Sequence, residues 1–144
     1  MSLKEFIIKA RKNTYAGKGE LVRPPLVPGS KQLEFREREY FYRDIYFTDK
    51  NFLGTETVYK EGKVVWGMNY FGTTKDSKVF NFLKETLLKL AEDCRFGKGA
   101  KLENDPYTYL DVGEGTIFKF SGEERIFIDG TPVYELRYQG GKIV

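Results

Sequence analysis

The chain has no histidine and one cysteine, Cys94, so the usual general base is missing and carboxylates and phenols are the first groups to weigh for chemistry. That excludes Ser-His and Cys-His catalysis, His-ligated metals and haem, and Cys-based zinc clusters. Glu56 and Glu124 occupy matching places in two segments rich in Tyr, Val and Ile. Paired carboxylates can do general acid–base work, and desolvation beside apolar side chains raises a glutamate's pKa. An ionised glutamate also attracts a cation, and Tyr59, Trp66, Tyr70, Tyr134 and Tyr138 supply aromatic walls near the two acids. The competing assignments are structural. Each glutamate can cap a turn or pair with Lys or Arg across a sheet, and the rings can be core beneath helices.

Other groups point away from catalysis. Asp44 and Asp111 close two Tyr-x-Tyr-x-Asp stretches, as ligand groups or as strand-end acids bonded to backbone N–H groups. Gly17-Lys18-Gly19 and Gly97-Lys98-Gly99 follow helical patterns, so they are C-terminal caps; a phosphate cradle needs its glycines before a helix. Cys94 lies on an apolar stripe and reads as packing. No catalytic set, metal site or cofactor motif emerges.

The elements that must position these groups follow from periodicity. A helix is expected from Ser2, with Glu5 at capping-box spacing and Leu3, Phe6, Ile7 and Ala10 on one face. A second is expected over about 76–95, with Val79, Phe80, Leu83, Leu87, Leu90, Ala91 and Cys94 as its stripe. Segment 20–32 holds Pro24, Pro25, Pro28 and Gly29 and fits neither helix nor central strand. The remainder, rich in the 12 Phe and 10 Tyr, reads as strands, with hairpin turns at Glu61-Gly62 and Asp129-Gly130. The alternating charges of Glu34–Glu39 suit a solvated or edge strand.

Residues 52–72 align without a gap to residues 120–140, with seven of 21 positions identical, Gly54/Gly122, Glu56/Glu124 and Tyr70/Tyr138 among them. YFYRDI at 40–45 matches YTYLDV at 107–112, and 3–19 matches 83–99 with seven further identities. The expected fold is therefore α+β: a helix-strand-strand-strand unit, duplicated at 2–72 and 76–144 within one domain, 1–144. The two units join into one antiparallel sheet with two helices packed on one face. Simple two-residue turns would put Glu56 and Val58 on one face of the first hairpin and Tyr59, Trp66, Met68 and Tyr70 on the other.

Four stretches carry a resemblance: TYAGKG at 14–19, RPPLVPGSKQLEF at 23–35, YKEGKVVWGMNYFG at 59–72 and VYELRYQGGKI at 133–143. They resemble an uncharacterised bacterial and archaeal domain family, sometimes found C-terminal to helix-turn-helix regulators. The resemblance implies a stand-alone member without the DNA-binding half and transfers no catalytic residues. The doubled topology is similar to gyrase-inhibitory and SOUL-type effector-binding domains, an analogy that does not fix function.

A chain of 144 residues, 40% hydrophobic and 31% charged, is long enough to bury a core without staples, which excludes disorder. A net charge of +3 is too small for a dedicated nucleic-acid binder. No apolar run spans a bilayer, so a cytoplasmic domain is expected. The function that fits best is effector-type binding, without catalysis, of a small aromatic or cationic ligand. Its walls would be Tyr59, Trp66, Tyr70, Tyr134 and Tyr138, with Glu56 or Glu124 as anchor. Two alternatives stay open: a histidine-free hydrolase using Glu and Tyr, and a protein-interaction module that forms a homodimer.

Overall fold

The computed structural model describes residues 1–144. Helix α1 (Leu3–Lys12) starts where the sequence places it. Ser2 Oγ accepts the Glu5 N–H at 3.1 Å and Glu5 returns a bond to the Ser2 N–H at 2.9 Å, closing the capping box. Its buried face is Phe6, Ile7 and Ala10. Helix α2 (Val79–Lys89) is shorter than expected and has no side-chain N-cap; it buries Val79, Phe82, Leu83, Thr86 and Leu87. Turns carry the chain onward to Arg95 and Gly97, both at positive φ.

Eight strands follow the helices four by four: β1 (Lys31–Glu37), β2 (Tyr40–Thr48), β3 (Asn51–Lys60) and β4 (Lys63–Thr74) after α1, then β5 (Ala100–Asn104), β6 (Tyr107–Thr116), β7 (Lys119–Ile128) and β8 (Thr131–Lys142) after α2. Each unit thus has four strands, one more than the sequence reading counts. The extra strands are hidden by turns without glycine. Arg38 takes φ 56° between β1 and β2, so an apparently continuous extended run is a hairpin.

All eight strands form one antiparallel sheet in the order β1-β2-β3-β4-β8-β7-β6-β5, so α+β with both helices on one face is the observed fold. The central pair joins the units symmetrically: Tyr70 faces Tyr138, Met68 faces Gly140 and Gly72 faces Leu136. One cluster of 22 buried apolar residues lies between the helices and this sheet.

Candidate functional site

The turns at Glu61-Gly62 and Asp129-Gly130 form as expected, with φ of 50° and 82° in the first and 48° and 80° in the second. A bulge beyond the second residue pair after each turn then changes which residues share a face. Tyr59 pairs with Val64 but Val58 pairs with Trp66, leaving Val65 extra; in the second hairpin Val133 is the extra residue. The acids and the rings, assigned to opposite faces by a simple turn, therefore share the helix-covered face. Glu56 stands opposite Met68 and Gly54 opposite Tyr70; Glu124 and Gly122 repeat this against Leu136 and Tyr138. Tyr59 alone turns away, meeting Phe41 at 5.9 Å on the open face.

The buried glutamates hold arginines. Arg11, from α1, reaches Glu56 at 2.8 Å through Nη2 and 3.1 Å through Nε, while Nη1 donates to the Cys94 carbonyl at 3.1 Å. Arg95, from the segment after α2, grips Glu124 with Nε and Nη2, both at 2.9 Å. A tyrosine hydroxyl from the neighbouring strand donates to each acid: Tyr42 to Glu56 at 2.5 Å, and Tyr109 to Glu124. Tyr134 adds a third donor to Glu124 at 3.0 Å. Burial works against the charge on Glu56, but the Arg11 guanidinium, with the Tyr42 hydroxyl, outweighs it and holds the carboxyl below its ordinary value. Burial likewise opposes the charge on Arg95, and Glu124 overcomes it and pushes the guanidinium higher still.

The aspartates complete the pattern one pair further along each strand. Tyr70 donates to Asp44 Oδ1 at 2.9 Å, and Tyr138 donates to Asp111 Oδ1 at 2.7 Å. Glycine is required beneath each tyrosine: a Cβ on Gly54 or Gly122 would lie 2.3 or 2.2 Å from its hydroxyl.

Beyond these common features the units part. In the second, the Arg95 N–H donates to Asp111 Oδ2 at 2.8 Å, and the Gly97 N–H donates to the Tyr138 hydroxyl at 3.1 Å. Gly97 fits against Gly113 so closely that a Cβ on Gly113 would lie 2.8 Å from its Cα. In the first unit Tyr15 and Tyr46 take the positions aligned with Arg95 and Gly113, and their rings meet edge-on at 6.1 Å. No backbone N–H reaches Asp44 Oδ2, and a cavity of about 60 Å³ remains, lined by Asp44 with Arg11, Tyr42, Glu56, Tyr70 and Arg95. Leu83, Leu87, Ala91 and Cys94 close it from the α2 side, and the partly exposed Tyr15, Tyr46, Phe52 and Phe80 rim it. Burial, reinforced by the charge of Glu56, pushes the Asp44 carboxyl up to about 7. Burial also pushes the Cys94 thiol up to about 12, which leaves it unreactive at neutral pH.

The model of a family described as a domain of unknown function, DUF5680, matches residues 44–143, from Asp44 through β8. The chain is a member of the DUF5680 family. No curated protein and no solved structure gives a significant match.

Within this DUF5680 domain, Glu56 and Tyr70 line the cavity, whereas Trp66, Tyr134 and Tyr138 are core residues outside its lining. Trp66 donates from its indole to the Ile117 carbonyl at 2.9 Å, and Glu124 is fully buried. Asp44, offered by the sequence as either a ligand group or a strand-end acid, lines the cavity, and so do Tyr15, Tyr46 and the two arginines, to which sequence reasoning gave no ligand role. The available signal was the alignment itself, in which Tyr15/Arg95 and Tyr46/Gly113 are among the places where the copies disagree. No three Asp, Glu or Cys side chains gather as metal ligands would, and no helix is long and apolar enough to cross a membrane.

Proposed function

We propose that this DUF5680 domain is an effector-type binding module without catalysis, whose small ligand occupies the first-unit cavity and is anchored by Asp44. One observation carries the reading. Asp111 has both oxygens bonded and does not line this cavity, whereas its counterpart Asp44 lines it with Oδ2 unpartnered. Asp44 as a residue is buried, its Oδ2 is open to no donor of the protein, and about 60 Å³ is roughly four times what one water needs. Of the residues expected from sequence, Tyr70 serves as wall. Glu56 organises the site through Arg11, so Asp44 replaces it as anchor. A thermal-shift screen tests this: a ligand at 100 times its Kd adds about 2.7 kcal/mol. The gain should vanish in Asp44→Asn and in Ala91→Leu, whose larger side chain enters the cavity. A screen without hits, or hits that survive both substitutions, overturns the reading.

A separate observation favours self-association. Phe47, Leu53 and Phe71 lie side by side across β2, β3 and β4 on the face away from the helices, 39%, 52% and 51% exposed. The same row continues through Arg137 and Glu123, beside a second pair, Glu135 and Arg125. A two-fold axis between β8 and β7 sets each arginine against a glutamate of a second copy. Sedimentation should show a dimer that Phe71→Ser dissociates; a monomer at 100 times the working concentration removes this reading.

A further inference from the structure

Two residues that line the cavity each carry a polar atom that the protein leaves unpaired, and the two atoms are of opposite kind. Asp44 Oδ1 is taken by Tyr70, and Oδ2 has no donor. Arg95 spends Nε and Nη2 on Glu124 and its backbone N–H on Asp111, while Nη1 donates to nothing. Neither atom is sealed in: the one fully enclosed side-chain atom without a partner in the molecule is Oε2 of Glu37. Asp44 and Arg95 line the same cavity.

This pairing disfavours ions. A cation would gain Asp44 but would meet the guanidinium groups of Arg11 and Arg95, and an anion would meet Asp44 and Glu56. A group that satisfies both vacant positions carries an N–H donor and a carbonyl acceptor side by side, with no net charge. The second unit already displays half of that arrangement. There Asp111 Oδ2 is satisfied by an amide N–H, that of Arg95, at 2.8 Å. Resting on the ligand-binding reading above, we infer that the cavity takes the amide edge of a neutral ligand, a primary carboxamide or lactam. Its N–H bonds to Asp44 Oδ2 and its carbonyl oxygen to Arg95 Nη1. A cavity of about 60 Å³ holds an amide head of about four heavy atoms, and the rings of Tyr46, Phe52 and Phe80 at the rim receive the rest. The inference replaces the cation expected from sequence with a neutral donor–acceptor group.

Two isosteric series test it: benzamide, benzamidine and benzoate, and the smaller acetamide, acetamidine and acetate. Within each series only the charge and hydrogen-bonding pattern of the head group change. At pH 8, where Asp44 is ionised, NMR titration of the whole chain should show the amide binding at least tenfold more tightly than either ion. A site built for a hydrogen-bonding pattern rejects the analogue that lacks it. Asp44→Asn should weaken the amide tenfold or more while the rest of the spectrum stays folded. An amidine or carboxylate that binds as well as its amide overturns the inference, and so does the absence of binding by both amides. In either case the ligand-binding reading still stands if another compound stabilises the wild type and fails to stabilise Ala91→Leu. If none does, both fall.

Discussion

In the second unit Asp111 receives a tyrosine and a backbone amide, Glu124 receives an arginine and two tyrosines, and Gly97 rests on Gly113. In the first unit the corresponding Asp44 receives only a tyrosine, Glu56 an arginine and one tyrosine, and two tyrosine rings keep the helix-to-strand segment off the sheet. The sheet frame is the same in both, down to the glycine beneath each tyrosine. What differs is who supplies the guanidinium. Arg95 comes from the connecting segment and draws its own backbone onto Asp111, closing the site. Arg11 comes from the helix, and its aligned position in the second unit is Ala91, one of the residues facing the cavity. Moving the arginine along the chain therefore converts one copy into a structural node and leaves room in the other.

The largest effect should separate the two glutamates. Glu124 is fully buried, and Glu124→Ala strands Arg95, whose side chain is 9% exposed, together with two phenols. Breaking a buried pair costs about 3–5 kcal/mol, and this site should lie at or above the upper end. Glu56→Ala strands Arg11, but that side chain is 12% exposed, borders the cavity and keeps the Cys94 and Arg95 carbonyls as acceptors. Its cost should be smaller by about 1–2 kcal/mol. Urea denaturation of both variants measures the gap. Equal losses would mean that the cavity gives Arg11 no relief, and the contrast between the units would be one of shape alone.

The aspartates should differ in their response to substitution, most clearly at pH 8. Burial first, and then Glu56, raises Asp44 to about 7, against the opposing influence of Tyr70, Arg95 and Arg11. A carboxyl raised on folding binds its proton more tightly in the native state, so its contribution is complete below the unfolded pKa near 4. It is lost as pH rises towards 7. Above that, Asp44 is a buried charge that costs stability, and Asp44→Asn should gain up to about 4 kcal/mol at pH 8, at about 1.4 per unit, and nothing at pH 4. Burial raises the Asp111 carboxyl as well, but Asn has one acceptor oxygen where Asp111 uses two, so Asp111→Asn should lose about 1–3 kcal/mol at pH 4 and less as pH rises. Paired thermal melts at pH 4, 6 and 8 decide. A destabilised Asp44→Asn at pH 8 would show that Asp44 is as fully partnered as Asp111.

Much of this frame was legible in the residues. The Ser2 and Glu5 spacing sets the start of α1, and Glu61-Gly62 and Asp129-Gly130 set both hairpins. The matched Phe, Gly, Glu and Tyr positions imply a doubled unit under two helices. Two things were not legible, for a shared reason. The β1–β2 turn uses Arg38 in the left-handed region, where Gly or Asn is the usual signal, so a strand went uncounted. The bulges at Val65 and Val133 leave no mark in composition, yet they bring Glu56 and Glu124 to the same face as the rings. Face assignment by alternation fails at a single inserted residue. The choice of Arg11 for Glu56 and Arg95 for Glu124 was hidden too, because the partners lie 45 and 29 residues apart and the two arginines are not aligned.

The smallest effect bears on the cavity itself. Ala91 is buried and lines it, so in Ala91→Leu the added atoms enter space that is already open. Filling such a void commonly yields about 0.5–2 kcal/mol. Here the lower part of that range is expected, because the added side chain shields Asp44 Oδ2 and Arg95 Nη1, which have no partner in the protein, from solvent. Adding even one carbon at the closed counterpart works the other way: a Cβ on Gly113 would lie 2.5 Å from the Ser121 carbonyl, and Gly113→Ala should destabilise. A small gain for Ala91→Leu, read as an upward shift of Tm without loss of cooperativity, would show that the first unit holds usable space. A clear loss would show that its polar groups depend on what already fills that space, and the ligand would then have to displace bound water rather than enter an open site.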